Sequence, residues 1–361
     1  MLTDAGVEVS VVLTERAGHA YEMMRDRADL LDFDGVVVCS GDGLLFEAVQ
    51  GLMARADWAT VARRVAIGVL PGGSGNGLAV SLARGSGEPH GPHSNAFLIA
   101  KGHTSPLDLC AVDHAGRGRL YSFLSLEFGF IADVDLESEW MRSLGEARFT
   151  IQVLRRLLSP RKIRARLSWI PCEPDAGAGA GAGADALKHT PKHLGLPRVP
   201  SYWASVPPEL AEGGAPPRTQ FLVPLSQPVP GTWRTVDDAF YFMWNTNTAF
   251  MSRGSHVSPD SHWGDGYVQL NFVRRSGRGG SAIRRSLLQY MLGLETGAQV
   301  RGAVEMTPAR AYRVEPVLSP GQRTRTKMAV DGEFVEMAAI QVEVLPGLLT
   351  LLGAAPAFQG A

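Results

Sequence analysis

"VVVCSGDGLLFEAVQGL", Val36 to Leu52, carries an apolar run into a helix-like pattern through Ser40-Gly41-Asp42-Gly43. A run with no polar alternation reads as a strand buried on both faces, as in a parallel sheet covered by helices. Asp-Gly pairs are ordinary turn chemistry, so Asp42 is either a turn residue or a carboxylate aimed at a ligand. The flanks repeat the unit. Residues 7–14 read as a strand, 19–31 as a helix, 35–40 as a strand, 44–55 as a helix and 64–70 as a strand, and a helix follows Gly77. This alternation predicts an N-terminal parallel α/β domain whose strand-to-helix junctions share one sheet edge, where such folds bind ligands.

A second glycine cluster, Leu70-Pro71-Gly72-Gly73-Ser74-Gly75-Asn76-Gly77-Leu78, also follows an apolar run and opens a helix. It has neither the Walker nor the Rossmann spacing. A tight turn explains it. So does an anion cradle, because glycines let backbone amides approach a phosphate at a helix N-terminus. A carboxylate on one loop and a cradle on the next suit phosphoryl transfer from a nucleotide.

Beyond Pro106 the pattern changes. Residues 106–113 and 119–128 read as a hairpin, with further strands at 164–171, 239–250, 266–275, 309–317, 328–336 and 340–345 and one helix at 281–295. This half reads as antiparallel β, a sandwich or open barrel. The division predicts domains at 1–104 and 105–353, the second carrying a low-complexity insert at 172–217 that contains AGAGAGAGA and reads as a disordered loop burying little.

Composition narrows the class. A net charge of −1 over 361 residues provides no basic field for nucleic acid. Cys39, Cys110 and Cys172 make no disulfide framework or metal spacing, and Cys39 and Cys110 read as small core residues. A reducing, cytoplasmic setting is expected, with no apolar run long enough to span a membrane.

SGDGLLFEAVQGL together with LPGGSGNGLA resembles the catalytic domain shared by diacylglycerol, ceramide and sphingosine kinases. The stretches LTERAGHA (13–20), SFLSLEFGFIADVDLESEWMRSLGEARFT (122–150) and MAVDGEFVE (328–336), with MARADW after the GDG helix, are similar to sphingosine kinases in particular. The resemblance implies an active site between the two domains, ATP and Mg²⁺, a sphingoid-base substrate and peripheral contact with membranes. Carried over by position, it makes Asp42 the catalytic base, with Ser40 and Gly41 on the same substrate loop. Asp135 takes the lipid ammonium beside Ser125. Thr14, Glu15, Arg16, Glu47, Gly73, Ser74 and Gly75 meet ATP, as do Arg142 and Arg148. Asp331, Gly332 and Glu333 form a further nucleotide site, with Asp331 a metal ligand.

Bottom-up, several of these have plainer readings. Asp135 also reads as a helix cap, Asp331-Gly332 as a hairpin turn and the arginines as surface residues. Arg142 and Arg148 are six apart, so one continuous helix would not aim both at one ligand, and Gly145 is the expected break. The apolar stretches IQVLRRLL and FYFMWN are candidate walls for the lipid tail. Against the family pattern, Met1-Leu2-Thr3-Asp4 resembles the end of a first helix, so the first strand-helix unit and its phosphate loop are expected to be missing from this sequence. The alternatives are a diacylglycerol or ceramide kinase, separated by the need for Asp135, and an inactive sphingolipid-binding fragment.

Overall fold

The structure, a computed structural model, describes residues 1–145, 147–172, 196, 199–206, 214–275, 279–298, 304–318 and 324–353, with Arg142 described by its backbone alone. The first half contains α1 (His19–Asp26), β1 (Gly35–Ser40), α2 (Asp42–Met53), α3 (Trp58–Arg64), β2 (Ala66–Pro71), α4 (Gly77–Gly85) and α5 (Pro92–Ala100). There follow β3 (Thr104–His114), β4 (Gly118–Ser122), β5 (Ser125–Gly129), α6 (Phe130–Ser138), a 3-10 turn (Glu139–Leu144), α7 (Ala147–Leu158), β6 (Ile163–Pro171) and α8 (Tyr202–Ser205). The last part holds β7 (Arg234–Thr246), β8 (Phe250–Ser252), β9 (Ser255–His256), β10 (Val268–Arg274), α9 (Gly280–Gly293), β11 (Glu305–Pro316), β12 (Met328–Val330), β13 (Glu333–Val335) and β14 (Ile340–Leu352).

β1 and β2 pair in parallel, Gly35 opposite Ala66 through Ser40 opposite Pro71, so both glycine loops leave the same sheet edge. β14 joins the two halves. Leu351 lies parallel to Ile67 of β2, while the rest of β14 runs antiparallel to β3 and β11. β7 and β11 are long enough to change neighbours along their length: β7 pairs with β6, β5 and β10, and β11 with β6, β10 and β14. The result is an N-terminal α/β layer continuous with a C-terminal antiparallel β-sandwich.

α2 forms because Leu45, Phe46, Val49 and Leu52 recur at helical spacing and are all buried. At its far end Gly51 lets α1 cross closely, since a Cβ there would stand 2.2 Å from the Tyr21 carbonyl oxygen. Gln50 pins α2 to the β half: its Nε2 donates to the Tyr121 carbonyl (2.7 Å) and its Oε1 accepts the Tyr121 N–H (3.0 Å).

Four expectations are corrected. Residues 7–14 form no strand; they run off the sheet with Val11 76% and Leu13 79% exposed. An apolar alternation becomes a strand only where a partner ladder receives it, and among the described residues none does here. The helix expected over 19–31 stops at Asp26, where Arg55 reaches across to cap the end: its Nη1 donates to the carbonyls of Met24 (3.0 Å), Arg25 (3.1 Å) and Arg27 (2.8 Å). Cys39 is exposed, the apolar run placing it on the uncovered side of β1, whereas Cys110 is buried.

The insert is the fourth. Residues 173–195, 197–198 and 207–213 lie outside the described residues, but 199–206 and 214–217 do not behave as a loop that buries little. Tyr202 is buried, Trp203 stacks on Trp58 with ring centroids 5.9 Å apart, and Trp58 Nε1 donates to the Ala215 carbonyl at 2.8 Å. The rings of Trp58 and Trp203 and the bond to Ala215 hold the described parts of this segment against α3.

Candidate active site

The two glycine loops are built against each other. A Cβ on Gly73 would lie 2.5 Å from the Gly41 Cα, so neither loop tolerates a side chain where they touch. Asn76, at φ 73°, holds the second loop closed: its Oδ1 accepts the N–H groups of Gly72 (3.2 Å) and Gly73 (2.9 Å), and its Nδ2 donates to the Gly73 carbonyl (2.6 Å). Gly72 also donates to the Ser40 carbonyl at 3.1 Å. These contacts account for Gly41 and Gly73 by packing. They leave Ser74 and Gly75 at the tip of a loop that opens α4.

Asp42 lies at the centre of this junction. Its Oδ2 accepts the Gly77 N–H at 2.7 Å, at the first residue of α4. Burial pushes its carboxyl up to about 6, against the opposing pull of backbone hydrogen bonds from Gly77, Leu78 and Asn76. A carboxyl poised there exchanges a proton near neutrality, as a general base requires.

Glu47 faces the same edge from α2, where its Oε2 accepts the Gly18 N–H at 2.9 Å. That bond ties the 14–18 loop to α2. Thr14, Glu15 and Arg16 are exposed, and Arg16 Nη1 donates to Glu22 at 2.9 Å.

The β12–β13 hairpin connects the halves of the site. Its Asp331-Gly332 turn has φ 50° and 82°, the left-handed pair of a tight hairpin. Glu333 Oε1 reaches the start of α2: a Cβ on Gly43 would meet it at 2.9 Å. A Cβ on Gly332 would stand 3.8 Å from Asp135 Oδ2. The hairpin therefore spans from the Asp42 loop to α6.

Asp331 itself is buried and engaged. Its Oδ1 accepts Ser122 Oγ (2.6 Å) and the N–H groups of Leu124 (3.1 Å) and Ser125 (2.8 Å), and its Oδ2 accepts the Phe123 N–H (3.0 Å). This gathers residues 122–125 into the turn that splits the strand expected over 119–128 into β4 and β5. Both of the hairpin and site readings of Asp331-Gly332 thus have a structural counterpart, but as a metal ligand Asp331 fits poorly, because four donors already fill its oxygens. Burial holds its carboxyl up at about 6 despite them.

Asp135, on α6, is met by Arg148 of α7, with Nη2 3.6 Å from Oδ1. Arg148 also pairs with Glu139 and is 3% exposed. Gly145, at φ 59°, breaks the helix as expected, which lets α7 fold back on α6. Expected to hold nucleotide phosphates, Arg148 is instead enclosed between two carboxylates. The Arg142 side chain lies outside the described residues.

The expected tail-wall stretches do meet. Val153 of α7 and Tyr241, Phe242 and Trp244 of β7 belong to one apolar cluster with Phe130, Ile131 and Val134 of α6 and Ile283, Leu287 and Tyr290 of α9. A residue missed from sequence, Glu127, faces this cluster. As a lone acid inside an apolar strand it carried no motif.

The first 112 residues match the model of the diacylglycerol kinase catalytic domain, and residues 228–353 match the YegS C-terminal NAD kinase beta sandwich-like domain. A diacylglycerol kinase structure from Bacillus anthracis str. Sterne superposes with a TM-score of 0.58 at 16% identity, covering 99% of this chain and 89% of its own, a likeness of fold. Fold and site together define a lipid kinase built on the diacylglycerol kinase catalytic domain. Human sphingosine kinase 1 is 33% identical over 96% of this chain and 82% of its own length, and human sphingosine kinase 2 is 29% identical over 100% and 68%. Sphingosine kinase 1 of Arabidopsis thaliana is 30% identical over 90% and 60%. The chain belongs to the sphingosine kinase family.

Proposed function

We propose that this protein transfers the γ-phosphate of ATP to the primary hydroxyl of a sphingoid base, with residues 1–104 supplying most of the nucleotide side and 105–353 the lipid side. The observation that carries the reading is the 331–333 hairpin, which sets the Asp42 junction and the Asp135–Arg148 pair on its two flanks. Asp42 takes the hydroxyl proton as the phosphoryl group arrives. Ser40, Gly41 and the Gly73-Ser74-Gly75 loop shape the ground around it, and Thr14, Glu15 and Arg16, tethered through Glu47, border the nucleotide. Asp135 presents a carboxylate on this flank of the hairpin, the natural partner of an ammonium. A diacylglycerol or ceramide has no ammonium to use it.

Among the described residues no group of three carboxylate, histidine or cysteine side chains could hold a metal. Mg²⁺ needs only one or two carboxylates beside the substrate phosphates, and Glu333, whose Oε1 reaches the start of α2, would be the carboxylate to hold it with the nucleotide. When bound, Mg²⁺ neutralises charge on the transferring phosphate.

Asp135→Asn is the test of the lipid assignment. Loss of a charge-assisted contact of ~1.5–3 kcal/mol should raise the KM for sphingosine about 10–150-fold and leave the KM for ATP nearly unchanged. An equal rise in both would refute the ammonium role.

Peripheral membrane contact is supported by α7, which exposes several apolar side chains. Arg148 and Gln152 point inward, while Ile151, Leu154 and Leu158 are exposed, with Trp140 and Leu144 on the preceding turn. α9 adds exposed Leu288 and Leu292 and is tied to α7 by Arg284 Nη2 donating to the Leu158 carbonyl at 3.0 Å. Exposed apolar residues beside Arg155, Arg284 and Arg285 suit an anionic lipid surface. Replacing Ile151 and Leu154 together by Glu should lower binding to anionic vesicles at least about tenfold, given ~1.5–3 kcal/mol per buried apolar side chain; unchanged sedimentation with vesicles would remove this face from the account.

A further inference from the structure

The apolar cluster shared by α6, α7 and α9 encloses two polar groups without a hydrogen-bond partner, beside a buried carboxyl. Strand register shows how they come together. Leu126 and Phe128 of β5 point into the main core, so Glu127 points the other way. It lies directly opposite Trp244 of β7 on that face, and Trp244 belongs to the second cluster. Tyr290 of α9 closes over the same cluster, stacked on Phe242 with ring centroids 5.2 Å apart. Trp244 Nε1 and the Tyr290 hydroxyl are buried without a hydrogen-bond partner. Glu127 is 4% exposed. Buried polar groups are rarely left so, and two of them on the face that carries a buried carboxyl call for a missing partner.

The chemistry of the three selects that partner. Trp Nε1 only donates, the Tyr hydroxyl does both, and a neutral carboxyl does both. Burial, with Asp135 and Asp331 nearby, raises the Glu127 carboxyl well above its ordinary range, and burial likewise raises the Tyr290 hydroxyl. A neutral set of mixed donors and acceptors suits a hydroxyl better than a cation. A plain methylene chain would leave the Trp244 and Tyr290 groups unpaired.

On the reading that the substrate is a sphingoid base headed at Asp135, we propose that Glu127, Trp244 and Tyr290 form a polar station that receives a hydroxyl on the substrate chain, next to the amino-diol head. The station makes the protein selective for long-chain bases hydroxylated at C4. Sites built to pair a substrate hydroxyl discriminate strongly against the analogue lacking it.

The test compares kcat/KM for dihydrosphingosine, its 4-hydroxy derivative and its 3-deoxy analogue. Wild type should prefer the 4-hydroxy base by about tenfold or more. Glu127→Ala should bring that ratio close to one, Glu127→Gln should retain most of it because the amide still donates and accepts, and Tyr290→Phe should lower it while preserving the ring. Circular dichroism checks that each variant folds, and Tyr290→Phe serves should Glu127→Ala not fold. Equal use of both saturated bases by wild type overturns the station while leaving the kinase reading intact. So does a Glu127→Ala effect that falls equally on all three bases, or one confined to the 3-deoxy comparison, which would place Glu127 at the shared head group. If no sphingoid base is phosphorylated at all, the reading beneath the proposal falls and the station with it.

Discussion

Asp42→Asn should lower kcat by ~10²–10⁴, the usual cost of losing a general base, in a protein that still folds. The amide keeps an oxygen to accept the Gly77 N–H at the start of α4, so the local junction survives. What is lost is the proton acceptor. The same group fixes a pH dependence. Its carboxyl is raised to about 6 in the folded protein, and a base acts only when ionised, so kcat/KM should fall below about pH 6. For stability the sign is opposite. Between the unfolded value of 3.8 and about 6 the native state holds a proton that the unfolded chain has released, so this contribution is present at low pH and is lost as pH rises through that window. Kinetics of the folded Asn variant within threefold of wild type would remove Asp42 from the chemistry.

Asp331→Ala should be the most damaging change to the fold, costing ~3–5 kcal/mol. It strips the acceptor from the N–H groups of Phe123, Leu124 and Ser125 and from Ser122 Oγ, all buried. Each orphaned buried donor costs ~1–3 kcal/mol, and partial relaxation keeps the total below the sum. Alanine also has to adopt a left-handed φ of 50°. Asp331→Asn, which tolerates that φ and keeps one good acceptor, should lose about half as much. Urea denaturation of the three proteins measures this. A loss under 1 kcal/mol for the alanine variant would mean that the 122–125 turn holds itself.

How far the sequence foretold this site depends on the kind of signal. The strands and loops around Asp42 and Gly73 were legible because a continuous apolar run ending in glycine has few other readings. Residues 7–14 carried nearly the same pattern and form no strand, because pairing is a property of the partner and not of the run. The last part of β14 was invisible for the related reason that an apolar stretch does not say which sheet it enters; only the structure puts Leu351 beside Ile67. α7 was read as tail-wall material, and Val153 does join the apolar cluster, but Ile151, Leu154 and Leu158 are exposed while Arg148 and Gln152 are buried, a division that composition does not announce. Gly145 announced the break before it. Tyr202 and Trp203 were overlooked inside a biased segment, where composition averages away two rings. Glu127 had no motif, and its meaning comes entirely from the register that sets it opposite Trp244.

The most direct test of the central claim is transfer of label from γ-labelled ATP, with Mg²⁺, to three lipids presented in the same detergent: sphingosine, its N-acylated form and diacylglycerol. The account predicts label in sphingosine, little in the other two, and none with the Asp42→Asn protein. Preferential labelling of diacylglycerol or of the N-acylated lipid, or transfer that persists without the Asp42 carboxylate, would contradict it.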